Sequence, residues 1–239
     1  MPLSVGPVRA VLEILIIAGA IFAGQVAAGY VPPEFHLFRT VPILVLQLVP
    51  VLAATALLYL ARQSWRQLGL FGRGAFARTL LLSLALAAFV VVVVYGLGLR
   101  AVVAMGLPPL DVSAFIFLIE GQWAAYLAFM VVVVWGSAAI GEELVFRGFL
   151  MNRFEALFHR LPLTLVLAVI AQAVLFGLSH GYQGPTGLLL SGTTGLIFGT
   201  VYYASGRNLL LAVLTHGFVN STFITAVFLG RAGVFFPGA

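Results

Sequence analysis

Residues 122–158 read QWAAYLAFMVVVVWGSAAIGEELVFRGFLMNRFEALF, and no charged side chain occurs before Glu142. Crossing the hydrocarbon layer of a bilayer takes about 20 consecutive apolar residues in a helix. The stretch is long enough for a span plus a helical extension, or for two helices with a break. The rest of the chain has the same character. Of its 239 residues 62% are hydrophobic and 8% charged, where soluble domains carry about 25% charged residues. With a mean hydropathy of +1.15, a water-soluble globular fold is excluded.

Six further apolar segments flank it, at 10–30, 41–61, 78–99, 162–181, 187–205 and 208–230. Residues 101–121, with Pro108, Pro109, Asp111 and Glu120, read as a loop carrying an interfacial helix, or as a short eighth span. The expected fold is all-α, a polytopic transmembrane helical bundle of seven spans, eight if 101–121 crosses. No linker divides the chain, so residues 1–239 read as one integral membrane domain. The first segment follows Arg9 and ends near Val26-Ala27-Ala28, as a cleaved signal peptide would. Glu13 at its start and the six later segments favour a retained span.

The chain has no cysteine, which removes disulfides, thiolate metal sites and a cysteine nucleophile. Its twelve cations are all arginine, with a net charge of +5, and they are scattered over short loops. That fits the positive-inside pattern of an inner membrane and offers no nucleic-acid site. A cytoplasmic N-terminus puts Arg9, Arg62, Arg66, Arg73, Arg78, Arg153, Arg160 and Arg207 on the cytoplasmic side. Arg39, Arg100 and Arg231 then fall on the other. An eighth span would spoil this asymmetry.

An ionisable group inside a span costs about 2.5–3.5 kcal/mol on insertion scales, so each one needs a reason. In Gly141-Glu142-Glu143-Leu144-Val145-Phe146-Arg147, the two carboxylates point about 100° apart on a helix. Glu143 and Arg147 stand at i,i+4 in the favourable order for an ion pair. A packing ion pair accounts for Glu143 and Arg147 and leaves Glu142 to face another part of the bundle. His180 ends the fifth segment, and His216 and Asn220 share a face of the seventh. A lone intramembrane histidine is ordinarily a hydrogen-bonding residue between helices. Glu142, His180, His216 and Asn220, however, come from three segments with no evident partners but one another, which calls for a polar cavity inside the membrane. His36 and His159 fall in loop or interfacial positions.

Such a set suits hydrolysis of an acyl bond in either of two ways. A carboxylate takes a proton from water while imidazole and amide groups donate to a developing oxyanion. Alternatively Glu142, His180 and His216 hold a divalent metal such as zinc, with water in the fourth position. Other intramembrane proteases are excluded on simple counts: no His is followed by Glu, Asp111 is the only aspartate, and no G-x-S-x-G occurs.

Glu142-Glu143…Arg147, Phe176…His180 and His216…Asn220 reproduce, in order, the E-E-x-x-x-R, F-x-x-x-H and H-x-x-x-N pattern of the CPBP family. The chain thus resembles the CAAX protease and bacteriocin-processing intramembrane proteases, which include Rce1-type CAAX prenyl proteases and bacterial Abi proteins. The resemblance covers residues 120–225. It implies a catalytic cavity in which Glu142 and His180 activate water and His216 and Asn220 stabilise the oxyanion. Glu143 and Arg147 would hold the first-motif helix, or Glu143 would serve as a second acid or base. The family is described both as metal-dependent and as working through glutamate alone, so a cofactor stays open, zinc or none. Substrates would be membrane-associated or lipidated proteins or peptides, and the setting the bilayer of a bacterial cell membrane. The competing reading is a non-proteolytic scaffold or bacteriocin self-immunity protein of the same family. A proton-coupled transporter lacks the internal repeat it usually shows.

Depth raises a problem. From Pro162, His180 lies about 27 Å along its helix, while His216 lies about 12 Å along its own from the same side. The two are level only if the fifth helix starts outside the membrane, tilts strongly or is broken.

Overall fold

With no water in the hydrocarbon region, a backbone of apolar segments satisfies its N–H and C=O groups within helices. The computed structural model follows this rule throughout the residues it describes, 5–29, 40–71, 74–110 and 112–236; among these there is no strand. His36, Arg39, Arg73 and Asp111 lie outside them. Among the described residues eight helices carry the architecture: α1 (Pro7–Gly29), α2 (Thr40–Leu60), α3 (Phe76–Ala104), α4 (Ser113–Ile119), α5 (Trp123–Phe158), α6 (Thr164–Ser179), α7 (Gly184–Ala204) and α8 (Leu209–Phe228).

Every apolar segment read from the sequence coincides with a helix. Among the described residues, 101–121 hold the last turn of α3 and the seven-residue α4, which is too short to span. The quoted stretch is one continuous helix of 36 residues, α5. Much of it, Met130–Glu142 and Leu144–Leu150, has the wider π-helical turn of i→i+5 hydrogen bonds. Among the described residues, α1, α3, α5 and α8 contain stretches long and apolar enough to cross a membrane, and α6 with α7 makes a fifth candidate bent by 53°. That is fewer than the seven spans expected. α6 has only 16 residues, and Ser191-Gly192-Thr193-Thr194-Gly195 dilutes the apolar character of α7.

α8 is an inner helix. In its spanning window 61% of residues are buried, and it shares the interior with the second half of α5, where every residue from 141 to 153 is buried. At one end of the bundle Arg153 of α5 meets Glu13 of α1 and Gln63 after α2. Arg207 after α7 meets Glu155 of α5, and Asn208 before α8 meets Thr79 of α3. Arg9, Arg62, Arg66, Arg78, Arg153, Arg160 and Arg207 therefore belong to the same end. The opposite end gathers Arg100, which reaches the Val234 carbonyl, and Gly121, which donates to the Phe228 carbonyl.

Glycines set the α6–α7 contact. A Cβ on Gly177 would come within 2.8 Å of the Leu188 carbonyl oxygen, and one on Gly195 within 3.0 Å of Ala173 Cα. Small residues let the two backbones approach this closely. Gln172, fully buried, ties the pair by donating from Nε2 to the Gly195 carbonyl at 2.7 Å.

Candidate active site

The polar residues of α5, α6 and α8 occupy two successive levels of the bundle. In the level nearer the Arg-rich end, Glu143 Oε1 accepts from Arg147 Nη1 at 2.9 Å and from His216 Nδ1 at 2.9 Å. Glu143 and Arg147 are wholly buried and His216 is 6% exposed. The guanidinium lies over the Phe176 ring at 4.4 Å and faces Phe198 at 5.3 Å. Cation–π contacts of this kind reach about 2 kcal/mol when desolvated. Phe176, the aromatic of the second motif, thus touches the first: it also packs edge-on against Phe146 at 4.9 Å and lies 6.4 Å from His216.

Toward the opposite end come Glu142, one residue before Glu143, and, one turn beyond Phe176 and His216, His180 and Asn220. Glu142 is 8% exposed; His180 and Asn220 are half-buried. His180 caps the C-terminus of α6, at the bend into α7, with Nδ1 2.9 Å from the Phe176 carbonyl oxygen. A carbonyl oxygen only accepts, so the His180 proton is on Nδ1 and the lone pair of the neutral ring is on Nε2. The face of His180 stacks on Tyr182 at 6.0 Å.

The Glu143–Arg147 pair forms as the i,i+4 spacing predicts. The sequence reading grouped His216 with Glu142; in the structure its Nδ1 bonds Glu143. A staggered start accounts for about half of the depth difference, and His180 stays about one turn beyond the level of His216. Phe176 is twelve steps into α6 and His216 seven into α8, yet their rings are neighbours. At about 1.5 Å per residue α6 therefore begins about 7 Å further out than α8. His180 comes one turn beyond Phe176, as Asn220 comes one turn beyond His216.

Two residues near this level escaped the sequence reading. Tyr95 of α3 and Tyr182 both lie within reach of the Glu142 charge, and Tyr95 stands beside Ser191 and Thr194 of α7. Nothing in the local pattern of α3 separates Tyr95 from a lipid-facing aromatic. The same geometry bears on the alternative of a metal, which the residues present do not fit. Glu142, His180 and His216 do not gather, and no group of three His, Asp or Glu side chains among the described residues could hold an ion.

Compared with known families, residues 123–222 match the model described as type II CAAX prenyl endopeptidase Rce1-like. This part of the chain is similar to that family. No curated protein and no solved structure matches the chain. The Rce1-like region runs from the start of α5 into α8 and includes all six motif residues, Glu142, Glu143, Arg147, His180, His216 and Asn220. α1 to α4 lie outside the Rce1-like region.

Proposed function

We propose that the protein is an intramembrane endopeptidase that cleaves peptide bonds of membrane-associated or lipidated proteins or peptides. The observation that carries this reading is the convergence of the three motifs, on α5, α6 and α8, within a region similar to an endopeptidase family. Glu142 is the general base. It takes one proton from a water whose other hydrogen bond goes to the lone pair of His180 Nε2. The water oxygen bonds to the carbonyl carbon, and the oxyanion so formed is held by the Asn220 amide together with the imidazolium form of His216, since a neutral ring with its proton on Nδ1 has no N–H left to give. As the C–N bond breaks, the nitrogen leaves with the proton carried by Glu142. The cleavage site is a polar cavity at membrane depth, in a bundle of seven spans. Its Arg-rich end faces the cytoplasm and its bilayer is a bacterial inner membrane.

The test compares new peptide termini in native membranes holding wild type or Glu142→Gln at matched levels, with and without a chelator. A set of termini that disappears in the variant, a loss of at least about 100-fold, and that persists in chelator is expected. Identical profiles from two folded proteins would transfer the weight to a scaffold or self-immunity role. Termini lost to chelator and restored by zinc would return the chemistry to a metal.

A further inference from the structure

The proteolytic reading leaves Glu143 without a chemical part, yet its carboxylate links two of the motifs directly. Oε1 receives both Arg147 Nη1 and His216 Nδ1, each at 2.9 Å, with Glu143 fully buried. An ionised carboxylate can only accept, so the nitrogen facing it carries the proton. Arg147 cannot swing away to free the oxygen, since its guanidinium is pressed on the Phe176 and Phe198 rings. The His216 ring is itself confined, 5.5 Å from Phe198 and 6.4 Å from Phe176.

We propose that Glu143 is the positioning residue of His216, holding its proton on Nδ1 and leaving Nε2 as the atom that works on the substrate. The inference rests on the proteolytic reading above. A neutral His216 then presents a lone pair at Nε2, and donates there to the oxyanion only as the imidazolium. The Asn220 amide donates whatever the state of the ring. A glutamine at 143 removes this control, because its amide offers a donor as well as an acceptor and His216 becomes free to take either tautomer.

The experiment first establishes cleavage that Glu142→Gln abolishes; without such cleavage it is the proteolytic reading that fails. Given that activity, the full-length Glu143→Gln protein is assayed in membranes. Its kcat is expected to fall about 100-fold or more, as when a carboxylate orienting a catalytic histidine is replaced by an amide, with KM within about threefold. Glu143→Asp, which keeps the acceptor, should recover at least about a tenth of wild-type kcat. If Glu143→Gln does not fold, Glu143→Gln/Arg147→Met removes the stranded cation and should show the same loss of kcat. Wild-type kcat in the folded single or double variant would overturn the proposal. A defect confined to KM, or Asp no better than Gln, would do the same.

Discussion

Arg147 has no exposed surface, one carboxylate partner and three aromatic rings around its guanidinium. Removing it leaves the fully buried Glu143 with only the His216 ring as a hydrogen-bond partner and without its counter-charge. Breaking a buried pair in this way costs about 3–5 kcal/mol, so Arg147→Ala should lower folded yield and thermal stability in detergent, measured side by side with wild type. An unchanged melting temperature would show that the pair does not hold the helix. Glu142→Gln, nearly isosteric and at the edge of the buried cluster, should melt like wild type. At this scale the sequence was informative where partners are four residues apart on one helix, as Glu143 and Arg147 are. It could not say which of two adjacent carboxylates would meet α8. That choice depends on the rotation of α5 about its axis, which the wider turns before and after Glu143 alter.

Between elements, the contact that positions His180 is the close pairing of α6 with α7. The G-x-x-x-G spacing occurs at Gly177 and Gly181 as well as at Gly195 and Gly199, and the pattern alone treats these glycines alike. The structure separates them. A Cβ on Gly177 would press on the backbone at Leu188 and Gly192, whereas one on Gly181 would meet nothing within 4 Å. Gly177→Val should therefore destabilise the protein by about 1–3 kcal/mol through overpacking, while Gly181→Ala should leave the melting temperature within error. Equal effects from both would contradict the close packing of α6 on α7. Helix existence was legible because lipid leaves the backbone of an apolar run no alternative. The stagger of α6 relative to α8 was not, since it is set by packing against α5 and α7 and leaves no local signal.

Across the whole molecule, the Arg-rich end is closed by ion pairs between distant parts of the chain. Glu13 of α1, 2% exposed, joins Arg153 of α5 at 2.5 Å and Arg9 at 2.7 Å. Arg153, fully buried, also reaches Gln63 and Asn152. Glu13→Ala should cost about 3–5 kcal/mol by leaving Arg153 uncompensated. Glu13→Ala/Arg153→Met should recover most of that, read from thermal melting as a double-mutant cycle. Additive losses would mean the two side chains act independently. A pairing over 140 positions of sequence has no periodicity to betray it, and from the sequence Glu13 marked only the start of an apolar run. The same separation has a consequence for biogenesis. During synthesis, the first helix reaches the bilayer with a carboxylate whose interior partner has yet to be translated, and only the neighbouring, partly wet Arg9 can serve it meanwhile. The docking of that helix is thereby deferred until the ribosome has passed the glutamate pair of α5, and it completes the bundle from a segment that was made first.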